Sequence, residues 1–186
     1  MRDRKRVAVL ISGRGSNMRA LVEGASDYEV ALVASNQPDA EGLKWARSRA
    51  IPVWTKASKG VDKEHYDRLL DAVLHEHGIG TIALAGFMRI LTAWFVNQWA
   101  GRIVNIHPSL LPKYKGLDTH VRALEAGDQF SGCSVHLVTE ELDAGEVLGQ
   151  TKVPILPGDS PESLEQRVLA AEHQLYPKIM SEFVNR

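Results

Sequence analysis

An α/β chain with an open, mostly parallel twisted sheet and helices on both faces is what this sequence predicts, and three observations predict it. Short β-branched apolar runs alternate with longer helical patterns, without internal repeats or low-complexity stretches. Residues 7–12 are apolar almost throughout, as a parallel strand covered on both faces requires. Residues 131–138 and 145–153 read as two strands with no helix between them, so an antiparallel strand is expected near the C-terminal end.

The elements follow in order. After the strand at 7–12, the turn Gly13-Arg14-Gly15-Ser16-Asn17 leads into a helical pattern through Leu21 and Val22. Residues 28–34 read as a strand, 39–49 as a helix, 51–54 as a short third strand and 57–60 as a loop. From Asp62, the residues Tyr66, Leu69, Leu70, Val73 and Leu74 recur at helical spacing, with Gly78 where a stop belongs. A buried strand at 81–85 passes through Gly86-Phe87-Met88-Arg89 to a helix at 92–99, and 102–106 is the next strand. Its continuation, 107–112, carries Pro108 and Pro112, which force an ordered irregular loop. A helix at 118–126 precedes the two late strands and the acidic loop 139–144 that joins them. Ser160 caps the last helix with Pro161 at its first position; Leu164, Val168, Ala171, Leu175 and Ile179 face inward, and Pro177 is expected to kink it.

Composition narrows the class of function. With 186 residues, 44% hydrophobic and 24% charged, the chain has room for a substantial core, and one domain over 1–186, with 1–5 as a charged tail, is the default. Lys and Arg total 22 against 23 Asp and Glu, a formal charge of -1. Nothing therefore draws the whole chain to nucleic acid or an anionic membrane, although a basic local pocket stays open. The lone Cys133 excludes an intrachain disulfide and fits a reducing, cytoplasmic compartment. No apolar run approaches the roughly 20 residues that span a bilayer. The apolar run after the basic start is shorter than the roughly 7 to 15 residues of a signal-peptide core.

Three places carry candidate chemistry. A strand entering a helix through Gly13, Gly15, Ser16 and Asn17 is suited to an anion, because backbone N–H groups at a helix N-terminus are free to bind one. The dinucleotide fingerprint is incomplete, since Met18 stands where its third Gly belongs, and the Walker ending is missing. A structural turn, the phosphate of a small ligand and a dinucleotide all remain as readings. Asn105 and His107 lie at a strand's C-terminal end on the same side, where an amide can donate to an oxyanion and an imidazole can move a proton. Hydrogen-bonded structural groups are the alternative there. Asp143, in a charge run that closes on Gly145, and Glu172, at the edge of a helix's apolar stripe, are carboxylates that want a partner or a ligand. The histidines lack metal-ligand spacing: His75 and His77 point apart on a helix, and His120, His136 and His173 are scattered. The four Trp form no stacking stripe, and Cys133 reads as a buried small hydrophobe.

Four segments together resemble one family: 11–17, 84–91, the string Asn105-Ile106-His107-Pro108-Ser109-Leu110-Leu111-Pro112, and Leu142-Asp143-Ala144-Gly145. From about Arg6 to its end the chain is similar to the phosphoribosylglycinamide formyltransferases of purine biosynthesis. The resemblance implies a Rossmann-like formyltransferase fold. It also implies transfer of the formyl group of 10-formyltetrahydrofolate, the co-substrate, to the glycyl amine of glycinamide ribonucleotide, without a metal or a covalent enzyme intermediate. The family roles would fall on Gly13, Gly15, Ser16 and Asn17 for the phosphate, helped by Lys63 where many relatives have Arg, and on Glu172 for the ribose. Met88, Arg89, Ile90 and Leu91, with Glu140, Glu141 and Leu142, would form the folate pocket. Asn105, His107 and Asp143 match the catalytic trio, with Asp143 favouring the imidazolium by proximity. Asp118 departs from the family where some relatives carry His, and Arg186 ends the chain where relatives often extend. Small-molecule partners are implied, not nucleic acid or membrane, in a monomer or homodimer. Formylation of methionyl-tRNA and hydrolysis of formyltetrahydrofolate share the trio but normally need an accessory domain, for which 186 residues leave no room. A non-catalytic nucleotide-binding module would leave the trio unexplained.

Overall fold

The computed structural model describes residues 3–186, so Met1 and Arg2 of the charged start lie outside the described residues. Along the chain run β1 (Arg6–Ile11), α1 (Ser16–Glu23), β2 (Glu29–Ser35), α2 (Glu41–Ser48), β3 (Val53–Thr55), α3 (Lys63–Glu76) and β4 (Thr81–Leu84). Then come α4 (Ala93–Gln98), β5 (Ile103–His107), α5 (Thr119–Glu125), β6 (Phe130–Leu137), β7 (Val147–Pro154) and α6 (Pro161–Val184). The strands form a seven-stranded sheet in the order β3-β2-β1-β4-β5-β6-β7. β3, β2, β1, β4 and β5 pair in parallel, and β6 runs antiparallel to both β5 and β7. The expected fold class is the observed one.

Period-2 alternation splits the core between the two faces. Val7, Val9 and Ile11 of β1 join one cluster with Met18 and Leu21 of α1, Leu43 and Ala46 of α2, and Leu164, Val168 and Met180 of α6. Ala8 and Leu10 join the other with Tyr66, Leu70 and Leu74 of α3 and Phe95 and Trp99 of α4. Each strand residue is thus buried whichever way it points, which is why the 7–12 run needed no polar side. On β5, Val104 and Ile106 belong to the α1–α6 face and Ile103 to the α3–α4 face, so Asn105 and His107 emerge with Ile103 on the latter.

Local signals end the helices as the sequence predicts. Asp62 accepts from the His65 amide at 2.9 Å to cap α3, and Gly78 takes φ +65 just beyond it. Ser160 and Ser163 form a reciprocal capping box at the start of α6. That helix continues through Pro177, whose ring packs so closely on Gly24 that a Cβ there would lie 2.6 Å from it. The described part of the charged start is pinned. Arg4 reaches the carbonyls of Arg186 and Gly101 at 3.1 and 3.2 Å, and its own carbonyl accepts from Thr81 Oγ1 at 2.8 Å.

Candidate active site

Strand order reverses between β1 and β4, and in open α/β sheets the crevice beyond the carboxyl ends of such strands is where ligands sit. The chain leaves β1 into the glycine loop and β4 into residues 85–91. The two exits are tied: the Ser12 amide donates to Gly86 O at 3.0 Å and Ser12 Oγ accepts from the Met88 amide at 2.8 Å. One strand further, β5 delivers Asn105 and His107. At about 4.8 Å between neighbouring strands, β1 and β5 lie on the order of 10 Å apart across the sheet.

Gly15 caps α1 at φ +73, a left-handed conformation suited to glycine, and provides no side-chain cap. The first intrahelical bond runs from the Arg19 amide to Gly15 O at 2.9 Å, so the amides before it project from the helix N-terminus. Gly13 is exposed and Ser16 half-buried. Asn17, buried, donates to Glu172 Oε2 at 2.7 Å and leaves its own Oδ1 without a protein partner. Glu172 is only 6% exposed. Burial pushes its carboxyl up to about 7, with the Asn17 bond pulling the other way. The structure therefore joins the loop to Glu172 across the long interval between them. Lys63 is exposed at the start of α3, its carbonyl accepting from Arg89 Nη2 at 2.7 Å.

Asn105, His107 and Asp143 converge with a fourth residue. His107 Nδ1 is 3.4 Å from Asp143 Oδ2, both side chains less than a tenth exposed. His107 Nε2 lies 2.9 Å from Tyr114 O. A carbonyl only accepts, so Nε2 carries hydrogen and Nδ1 faces the carboxylate. Asp143 Oδ2 also accepts from the Gly116 amide at 2.9 Å. His136 stands opposite Asn105 in the β5–β6 ladder. Its Nδ1 donates to Leu137 O at 2.8 Å, leaving Nε2 to accept from Asn105 Nδ2 at 3.2 Å. Burial lowers the His136 pKa, which favours this neutral form. Asp143 Oδ1 lies 3.6 Å from His136 Nε2. Asp143 and Tyr114 both sit at positive φ, 49 and 55, strain of the kind that gathers at functional sites.

Burial alternates along the segment 88–91. Met88 and Ile90 are 71% and 73% exposed, whereas Leu91 packs on the α3–α4 core. Arg89 turns inward, ion-paired with buried Asp67 and with its guanidinium 4.3 Å from the Tyr66 ring centroid. What Arg89 offers toward the crevice is backbone. Across from it, Glu140 accepts from Asn97 at 2.8 Å, Glu141 pairs with Lys115 at 3.1 Å, and Leu142 is exposed. Exposed apolar side chains beside backbone polar groups suit a flat heterocycle. A separate cavity of about 570 Å³ between α1 and α6 touches Ser16 and His173 but none of the convergent four.

His136, Tyr114 and Gly116 were absent from the sequence-based candidates. His136 had a usable signal, because a polar residue in the otherwise buried strand 131–138 needs a partner. Only the β5–β6 pairing says that the partner is Asn105. Asp118 caps α5 at φ +57 without a side-chain cap. Cys133 is buried, its thiol pushed up to about 12 by desolvation, and so inert.

Residues 5–180 match the formyl transferase family. The phosphoribosylglycinamide formyltransferase of Escherichia coli K12 is 46% identical over 96% of this chain and 87% of that protein. The trifunctional purine biosynthetic protein adenosine-3 of Drosophila melanogaster is 48% identical over 98% of this chain, which spans only 14% of that much longer protein. The crystal structure of the phosphoribosylglycinamide formyltransferase from Brucella melitensis superimposes with a TM-score of 0.92 at 44% identity, covering 98% of this chain and 96% of that one. No described helix is long and apolar enough to cross a membrane.

Proposed function

The chain belongs to the formyl transferase family, and on that premise we propose that, as a single domain over residues 1–186, it transfers the formyl group of 10-formyltetrahydrofolate to the glycyl amine of glycinamide ribonucleotide. The observation that carries the reading is the buried His107–Asp143 pair, with Asn105 beside it, at a strand end two strands from a loop of free helix-terminal amides. A pure binding module has use for the loop and none for the trio.

In this reading, Gly13, Gly15, Ser16 and Asn17 hold the phosphate on backbone and side-chain donors, with Lys63 adding charge from α3, and Glu172 accepts from the ribose. The folate lies between the exposed Met88 and Ile90 and the loop carrying Leu142, and supplies an activated formyl carbon. The neutral glycyl amine attacks that carbon. As the new C–N bond forms, the carbonyl oxygen becomes an anion, and Asn105 Nδ2–H and the Nδ1–H of protonated His107 donate to it. The C–N bond to the folate then breaks with its electron pair on the folate nitrogen. The proton lost by the amine reaches that nitrogen through a water held by Asp143. Product ribonucleotide leaves formylated, and the enzyme returns to its starting protonation.

A formyl-transfer assay with glycinamide ribonucleotide as acceptor tests this. Turnover should need the acceptor, and His107→Ala should abolish it while ribonucleotide binding persists. Deformylation at the same rate without acceptor would favour hydrolysis and refute the assignment.

A further inference from the structure

The loop between β5 and α5 offers the site two backbone groups, two residues apart. Tyr114 O takes the hydrogen of His107 Nε2 at 2.9 Å, and the Gly116 amide donates to Asp143 Oδ2 at 2.9 Å. One short stretch of chain therefore sets both the tautomer of the imidazole and the place of the carboxylate. Tyr114 holds φ +55 and Gly116 φ +79, and a bulky residue adopts the left-handed region only where its surroundings enforce it.

What enforces it lies away from the reacting groups. The Tyr114 hydroxyl donates to Asp128 Oδ2 at 2.7 Å, and Lys113 Nζ reaches both oxygens of that carboxylate at 2.9 and 3.0 Å. Asp128 is itself fixed just past α5, its amide donating to Ala123 O at 3.2 Å. From the same helix Arg122 donates to Lys115 O at 2.7 Å and lies 5.2 Å from the Tyr114 ring centroid. Lys113 is 61% exposed, so its ion pair contributes little positional restraint. The tyrosine bond is the directional one, a short charge-assisted O–H···O contact. Lys113 and Tyr114 together hold the Asp128 carboxyl below the usual carboxylate range, so it stays an acceptor at neutral pH.

We propose that Asp128, acting through the Tyr114 hydroxyl, is a positioning residue for the reaction: it clamps the 113–116 turn so that the Tyr114 carbonyl keeps His107 in its Nε2–H form with Nδ1 toward Asp143. Neither residue touches substrate. The inference rests on the formyl-transfer reading for its effect on rate, and on geometry alone for its effect on the imidazole.

Tyr114→Phe removes the hydroxyl and nothing else. Its kcat should fall about 10- to 100-fold, with the KM of each substrate within about twofold of wild type, the cost of displacing a catalytic group from outside. In the substrate-free enzyme, recorded at alkaline pH so that the ring is neutral, the ¹⁵N resonances of His107 should change from the Nε2–H pattern to a mixture of tautomers. Asp128→Asn keeps an acceptor for the hydroxyl and should retain most of the turnover, while Lys113→Met should behave as wild type. Asp128→Ala breaks the same bond from the other side and serves if Tyr114→Phe does not fold. Wild-type kcat in Tyr114→Phe or in Asp128→Ala overturns the clamp, and so does a loss of kcat with His107 resonances unmoved. Because the spectra need no substrate, a wild-type enzyme that transfers no formyl group would sink the functional reading while the tautomer still decides the clamp.

Discussion

Replacing Glu172 by Gln should make the protein more stable at neutral and alkaline pH, by an amount the buried carboxyl sets. Gln keeps an acceptor for Asn17 Nδ2, now 2.7 Å from Glu172 Oε2, and removes only the ionisation. The folded carboxyl titrates near 7 against 4.5 unperturbed, burial being the main cause. Below about pH 4.5 the group is protonated in folded and unfolded chains alike and costs nothing. Between 4.5 and 7 the unfolded chain ionises first, so it binds fewer protons than the native state, and stability falls as pH rises. Two and a half units at 1.36 kcal/mol each amount to about 3 kcal/mol, complete once pH passes the folded pKa. The stability gap between Glu172→Gln and wild type should therefore open from pH 5 to 7.5 and then stay level, reaching roughly 6 to 12 °C in Tm for a chain of this size. Urea unfolding and thermal melts of the substrate-free protein at several pH values measure it. A gap that does not change with pH would show that Glu172 is not the buried, reluctantly ionised group described here.

Other consequences concern the site directly. Asp143→Asn keeps the shape beside His107 and deletes the charge, and should lower kcat by roughly 10² to 10⁴ with KM nearly constant; steady-state kinetics decide, and a KM effect alone counts against its role. Gly15→Ala places a side chain at φ +73 with Gly42 Cα 3.2 Å away, and should cost about 1–2 kcal/mol of stability and raise KM for the ribonucleotide far more than for the folate. Equal effects on both substrates would remove the phosphate from this loop. Protonating His136 would set a donor against the Asn105 amide and, under the proposed mechanism, turn its N–H away from the oxyanion. Activity should therefore fall at pH below the ordinary histidine range, since burial lowers this pKa, and His136→Phe, although slower, should lose that acid limb. Calorimetry should detect an antifolate binding without ribonucleotide, and no heat at high micromolar ligand would deny a preformed pocket.

The elements were legible because their causes are local. Apolar runs of strand length, a glycine turn into a helix, two prolines after His107 and a serine cap at 160 each act on neighbouring residues, so they can be read along the chain. Of the site, the loop at 13–17 and the pair Asn105 and His107 were legible for the same reason, since both occupy a strand's end. Arg89 shows the limit. Its place in the 88–91 segment was readable, but its alternation inward to Asp67 depends on α3 lying beneath that segment. His136 shows it again, because the strand 131–138 was paired in sequence with 145–153, and nothing local announced its second edge on β5.

By itself, the sequence determined a two-faced, mostly parallel sheet, the position of a glycine loop at one strand end and of an amide and an imidazole at another. Tertiary structure alone decided that β6 pairs with β5 and sets His136 against Asn105, that the acidic loop folds back to bring Asp143 to His107, and that Tyr114 and Gly116 hold the pair by backbone atoms. Backbone hydrogen bonds take no account of side-chain identity, and contacts across long intervals depend on strand register and loop closure. Neither leaves a periodic mark on the residues that take part.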